Sequence, residues 1–277
     1  MMNAIKTIIP APIKSCVRWT RLWIIDGFES LTGRRDALTP PRRLQFVGGG
    51  DFATVGTKLK KLLIDLGGLK PDDRVLDVGC GIGRMAVPLV GYLTDRGSYD
   101  GFDVVPKGIK WCQKNISRGF PNFHFQVADL YNKMYNPKGR FRAGEFPFPY
   151  ADASFDFVFL TSVFSHLLFD DTEHYISEIA RVLRPGGRCF ATFFLLNPES
   201  EELIKAGAST LEFRHVLGRC RVEHTSVSED AVAYQEPDIR ALISKYGLPL
   251  QGPIYYGRWC GREKYTRYQD IVITMKQ

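Results

Sequence analysis

Between residues 72 and 194 the chain switches repeatedly between two hydrophobic periods. Short apolar runs at 74–78, 98–103, 123–127, 155–160 and 188–194 have the length and composition of strands. The segments between them carry helical spacing. In one, Met85, Pro88, Leu89 and Leu93 stand opposite polar positions, and in another, from Asp170 to Leu183, apolar residues recur at Ile176, Ile179, Ala180 and Leu183. Asp170 with Glu173 three residues later has the form of a capping box, and Pro185-Gly186-Gly187 supplies the stop. Strands alternating with helices predict an α/β fold with a mostly parallel sheet and helices on both faces.

Upstream, Val55, Leu59, Leu62, Leu63 and Leu66 form a helical stripe that ends at Gly67-Gly68. Downstream, Ile239, Leu242, Ile243 and Tyr246 predict a short helix over 238–246, stopped by Gly247. Two late strands, near 252–256 and 269–275, have no helix between them and should pair antiparallel. Two stretches break the alternation: 131–154, rich in Tyr, Asn, Pro and Gly, and 195–235, partly helical and polar with no clear strand. Both read as cap insertions in a domain spanning 46–277. Residues 1–45 read as a separate basic arm. In it Ile13, Cys16, Val17, Ile24, Phe28 and Leu31 fall near helical spacing, Trp19 and Trp23 flank them, and Lys14, Arg18 and Arg21 are interspersed. Such an arm can fold over a ligand as a lid, the plainer expectation, or lie on an anionic membrane surface.

Chemistry concentrates where the first strand runs into Gly79-Cys80-Gly81-Ile82-Gly83 and then into a helix. Glycines in such a turn let backbone approach a ligand. Gly81-x-Gly83-x-x-Ala86 also fits the dinucleotide pattern. Asp77 separates the two readings. A pyrophosphate laid against this turn would be repelled by a carboxylate two residues before the first glycine, whereas a ligand carrying an ammonium group would be attracted.

With that motif the sequence resembles the class I S-adenosylmethionine-dependent methyltransferases, most closely their small-molecule branch, over roughly 50–277. The resemblance implies a seven-stranded Rossmann-like sheet of order 3-2-1-4-5-7-6 with the seventh strand antiparallel. It implies S-adenosylmethionine as cofactor, held by Asp77, Gly79, Cys80, Gly81 and Gly83. It makes Asp103 and the adjoining Val104 the ribose-binding end of the second strand, and Asp129 with Leu130 the adenine site. His166, in Thr161-Ser-Val-Phe-Ser-His166, stands where many members place a polar or basic residue facing the methyl group. It is the candidate general base, and a hydrogen-bonded structural histidine is the competing reading. His215 and His224 are weaker candidates, and Tyr255, Tyr256, Trp259, Tyr265 and Tyr268 either line a pocket or simply pack. The expected reaction is methyl transfer to a small or lipid-linked metabolite, on oxygen in preference to nitrogen. RNA methylation and a non-catalytic membrane-recruited binding module are the alternatives.

Composition narrows these classes. At 277 residues, 44% hydrophobic and 13% aromatic, the chain is too apolar for disorder, and it has no apolar run long enough to span a bilayer. The apolar start at Ile5–Ile13 is interrupted by Lys6, Thr7, Pro10 and Pro12, which argues against a secretion signal. Six scattered cysteines with no C-x-x-C pair suggest neither disulfides nor a metal site, so a cytoplasmic location, with peripheral membrane contact through the arm, is expected. The net charge of +7 sits at the ends: residues 1–45 hold eight Lys/Arg against three Asp/Glu and residues 251–277 hold five against two. The near-neutral body, with Leu160-Thr-Ser-Val163 where many base-methylating enzymes carry an Asn/Asp-Pro-Pro-Tyr/Phe motif, argues against nucleic acid as partner.

Overall fold

The computed structural model describes residues 11–46, 49–132 and 136–277, with side chains from residue 20 onward. In chain order the elements are α1 (Ala11–Leu31), α2 (Phe52–Asp65), β1 (Arg74–Val78), α3 (Ala86–Leu89), β2 (Ser98–Asp103), α4 (Pro106–Cys112), β3 (Phe123–Val127) and β4 (Phe155–Leu160). There follow α5 (Phe169–Val182), β5 (Leu183–Phe193), β6 (Leu195–Leu196), α6 (Pro198–Lys205), β7 (His215–Leu217), β8 (Cys220–Val222), β9 (Val232–Gln235), α7 (Glu236–Lys245) and β10 (Asp270–Met275).

Six strands form the main sheet in the order β10-β5-β4-β1-β2-β3, all parallel except β10, which runs antiparallel to β5. Alternation along each strand divides the core. Val75, Tyr99, Phe157, Phe159 and Phe190 face α2, α3 and α4, where Leu59, Leu63, Leu89 and Ile109 meet them. Leu76, Val78, Phe102, Val158 and Leu160 face α5 and α7 through Ile176, Ile179 and Leu242. The sheet is thus covered on both sides, as parallel strands require.

Three expectations are corrected here. The sheet has six strands instead of seven: the segment near 252–256 meets β10 antiparallel only through isolated bridges, Leu250 to Thr274 and Tyr255 to Ile271. Pro249 and Pro253 offer no N–H there, and Gly252 turns at φ 80°. The insertion 195–235 is partly helical as expected, through α6, but it also holds strands: β6, β9, β8 and β7 make a second, four-stranded sheet. Asp170 is not a helix cap, because α5 already starts at Phe169, with Leu168 at the cap position and no side-chain cap.

The small sheet is tied to the large one by Asp270, a fully buried carboxylate at the start of β10. One oxygen accepts from the Leu195 N–H and the Trp259 indole, each at 2.8 Å; the other accepts from Gly257 N–H at 2.7 Å and the Arg262 guanidinium at 3.2 Å. Asp270→Asn would aim an amide donor at one of these donor pairs. The expected result is a loss of about 3–5 kcal/mol in stability, read from denaturant unfolding.

The arm folds on itself. Asp26, 1% exposed, accepts from the Arg42 and Arg43 backbone N–H groups at 2.6 and 3.2 Å and from the Arg43 guanidinium at 2.9 Å. The side chains of Ile13, Lys14, Cys16, Val17, Arg18 and Trp19 lie outside the described residues, as do Ile5–Ile9.

Candidate active site

A cavity of about 680 Å³ opens at the carboxyl ends of the parallel strands, the place where sheets of this kind bind ligands. Asp77, Gly79, Cys80 and Gly81 line it from the turn after β1, and Asp103, Val104 and Leu130 line it from the ends of β2 and β3.

Asp77 is 1% exposed, and its carboxyl has one hydrogen-bond partner among the described residues, the Tyr99 hydroxyl at 2.5 Å. Burial pushes its carboxyl up to about 8; the Tyr99 bond pulls the other way and the nearby Asp103 charge adds to the rise. A cation bound beside it would relieve this cost and an anion would deepen it. At Gly79, which turns at φ 80°, an added Cβ would stand 2.6 Å from the Val163 side chain, so only glycine keeps the cradle open. Gly83 has a different duty. It does not line the cavity, and a Cβ there would press on Cys112 and Ile116 of the covering helix.

Asp103 accepts from the Gly81 N–H at 2.9 Å and the Val105 N–H at 2.8 Å, one with each carboxylate oxygen. These bonds aim the carboxylate and leave lone pairs for a diol. Burial raises its pKa while the backbone donors oppose the rise. Asp103→Ala removes both roles and is expected to weaken cofactor binding by about tenfold or more, checked by calorimetry.

Asp129 is not brought to the cavity. Residues 139–141 of the insertion run beside 129–131, with the Arg140 and Phe141 N–H groups both bonded to the Asp129 carbonyl at 3.1 Å. That pairing sets the Arg140 guanidinium against the Asp129 carboxylate and holds its pKa down. Leu130, in contrast, is buried and lines the cavity.

The turn after β4 brings His166 to the same cavity. Ser162 occupies the left-handed region at φ 60°, unusual for a residue with a Cβ. Thr192 Oγ1 accepts from its N–H and Gln269 Oε1 from its hydroxyl, both at 2.8 Å. Farther along, the Tyr234 hydroxyl of β9 lies 2.6 Å from the Phe164 carbonyl and 2.5 Å from that of Leu167. The cap sheet therefore fixes the turn that carries His166. His166 Nδ1 lies 2.8 Å from the Glu229 carbonyl, which can only accept, so Nδ1 carries the proton and Nε2 of the neutral ring is a free acceptor. Next to it, Ser165 is 1% exposed, lines the cavity, and its hydroxyl has no hydrogen-bond partner among the described residues.

Other candidates separate. Tyr268 lines the cavity; Trp259 is buried against Asp270, Tyr256 bonds Glu236, and His215 and His224 are exposed away from it. The segment after the arm contributes Phe46 and Gly49 to the lining, and no described residue of α1 does so. Sequence reasoning did not name Ser165, Gln269, Arg84 or Arg267 individually, although Ser165 and Arg267 fall in the segments 161–169 and 257–268 from which acceptor contacts are expected. Gln269 adjoins the second of these, whereas nothing in the sequence marked Arg84. Among the described residues no three His, Cys, Asp or Glu side chains gather as a metal site would need.

The donor set fits S-adenosylmethionine. It offers a buried carboxylate for an ammonium group, a second carboxylate free to take a ribose diol, glycine backbone for close approach, and Val104 and Leu130 for an apolar ring.

Comparison with known proteins agrees. A family model described as a methyltransferase domain matches residues 76–191. The 27-O-demethylrifamycin SV methyltransferase of Amycolatopsis mediterranei is 34% identical over 142 residues, 51% of this chain and 46% of that relative. The tRNA N(3)-cytidine methyltransferase METTL2 of Gallus gallus is 30% identical over 131 residues, 47% of this chain and 32% of that relative. The chain thus spans less than half the length of these curated relatives. A crystal structure from Pyrococcus horikoshii OT3 superposes over 84% of this chain and 95% of its own, with a TM-score of 0.55 at 17% identity, a likeness of fold.

Proposed function

We propose that the chain is a class I S-adenosylmethionine-dependent methyltransferase and that it methylates an oxygen of a small or lipid-linked metabolite; the match of residues 76–191 to a methyltransferase domain supports this reading. The observation that carries this reading is a single cavity shared by Asp77, Gly79, Gly81 and Asp103 on one hand and His166 and Ser165 on the other. When bound, S-adenosylmethionine supplies an electrophilic methyl group on a cationic sulfur.

The chain's own residues supply placement and proton handling. Asp77 and Asp103 hold the donor in one orientation, and the turn 161–167 holds the acceptor in line with it. His166 Nε2 takes the proton from the acceptor hydroxyl as oxygen attacks, and the Glu229 carbonyl steadies the imidazolium through Nδ1–H. The buried Ser165 hydroxyl, without a partner among the described residues, provides a hydrogen bond to the same acceptor. Leu130, Val163 and Phe194 keep water from the reacting atoms.

An extract incubated with the protein and methyl-deuterated cofactor tests this reading. Mass spectrometry should find the label on an oxygen of a small or lipid metabolite, and label in the RNA fraction alone would contradict it.

The arm supports a second element of the proposal, contact with an anionic lipid surface. Trp23, Ile24, Phe28 and Leu31 of α1 are 59, 67, 52 and 91% exposed. Arg43 lies over Trp23 and Arg34 over Phe28, so cations border this apolar face. No described helix is long and apolar enough to cross a membrane. The intact chain should sediment with vesicles containing phosphatidylserine, and Trp23→Ser/Phe28→Ser should lose about tenfold in that binding. Equal sedimentation of both would exclude this role.

A further inference from the structure

We propose that Arg267, with Arg84 beside it, forms a subsite for an anionic oxygen group, a carboxylate or a phosphate, carried by the methyl acceptor; this rests on the methyltransferase reading. Both arginines line the cavity that holds His166. Arg267 is half-buried, and its Nη1 is closed off from solvent with no hydrogen-bond partner among the described residues. No ion pair among the described residues includes it.

The rest of the chain treats buried guanidinium groups differently. Arg262, 5% exposed, is paired with Asp270 and Glu199, and the partly buried Arg188 with Asp73. At Arg267 burial pushes the pKa down to about 10, and the neighbouring charge that adds to this is another cation, Arg84. Arg84 lies over the Phe52 ring and reaches the Gly49 carbonyl at 3.5 Å.

Two of the cavity's acids are committed elsewhere: Asp77 is held by Tyr99, and Asp103 takes the Gly81 and Val105 N–H groups. The third, Asp230, is exposed, and no ion pair among the described residues joins it to either arginine. Two guanidinium groups in one cavity, one of them desolvated and unpaired, are costly together and become favourable once an anion sits between them. An arginine fork matches carboxylate or phosphate oxygens in pairs.

The same chemistry could come from two sources, the acceptor or the amino-acid tail of the cofactor. The position of Arg267 favours the acceptor. It precedes Tyr268 and Gln269, and Gln269 is bonded to Ser162 in the turn that carries His166.

Calorimetry on the intact chain separates the sources. Inorganic phosphate is titrated into protein saturated with S-adenosylhomocysteine, using wild type, Arg267→Gln and Arg267→Lys. S-adenosylhomocysteine and 5′-methylthioadenosine, which lacks the carboxylate, are titrated into each protein alone. The expected result is phosphate binding weakened about tenfold or more in Arg267→Gln and less in Arg267→Lys, with S-adenosylhomocysteine affinity changed by less than about twofold. Phosphate binding equal in all three proteins would overturn the proposal. A loss of S-adenosylhomocysteine affinity in Arg267→Gln, with 5′-methylthioadenosine unaffected, would assign the subsite to the cofactor and also overturn it. Failure of wild type to bind S-adenosylhomocysteine would instead strike the underlying methyltransferase reading.

Discussion

Asp77→Asn is expected to weaken S-adenosylmethionine binding by about two orders of magnitude while making the free protein more stable at alkaline pH. The two effects share one cause. The carboxylate is buried with a single hydrogen bond among the described residues, so the fold bears its desolvation and recovers the cost only when a cation is bound beside it. Asparagine can still accept from Tyr99 but carries no charge. The pH dependence follows with a definite sign. The folded-state pKa lies near 8, above the ordinary value of 3.8, so the folded chain holds a proton that the unfolded chain releases across that window. Stability contributed by this group is present below about pH 4 and falls as pH rises toward 8. Cofactor affinity moves the other way, because Asp77 must give up its proton when a cation binds, and the gain levels off above about pH 8. Calorimetry and melting curves from pH 5 to 9, about the window that burial opens, should show both slopes in wild type and neither in Asp77→Asn. A variant that loses stability and affinity together would mark Asp77 as a purely structural residue.

His166→Gln should lower turnover on the identified acceptor by about 10²–10⁴-fold and leave the dissociation constant for S-adenosylmethionine within about twofold. Glutamine can preserve the bond to the Glu229 carbonyl, so the turn 161–167 stays in place and the proton-accepting nitrogen alone is lost. Stopped-flow binding and steady-state turnover give the two readouts independently. Unchanged turnover would return His166 to the role of a structural histidine holding the cap to the sheet.

The legible part of the fold was the part governed by local rules. β1 to β4 lie where the apolar runs stand, because each is bounded by glycine or polar turns; β1 and β4 are buried along most of their length, and β2 and β3 at alternating positions. The turn at Gly79–Gly83 could be read as a ligand cradle because Asp77 before it is a residue type that a buried strand tolerates poorly.

What escaped was decided by distant partners. β6 has two residues and pairs with Tyr234 and Gln235, 39 residues on, so no hydrophobic period could disclose it. The strands around Cys220 and His215 are three residues each, too short for alternation to register. Asp129 looked like a ligand residue, yet the insertion carries Arg140 back to it, a meeting invisible in linear order. Arg267 stood among five aromatic candidates, and only burial in three dimensions showed that its Nη1 has no partner among the described residues.

The measurement that bears most directly on the whole account is a calorimetric titration of the wild-type chain near pH 7 in two buffers of different ionisation enthalpy. S-adenosylmethionine should bind one to one, with release of a substantial fraction of one proton that disappears in Asp77→Asn, and NADH should not bind. Heat from NADH and none from S-adenosylmethionine would contradict it outright.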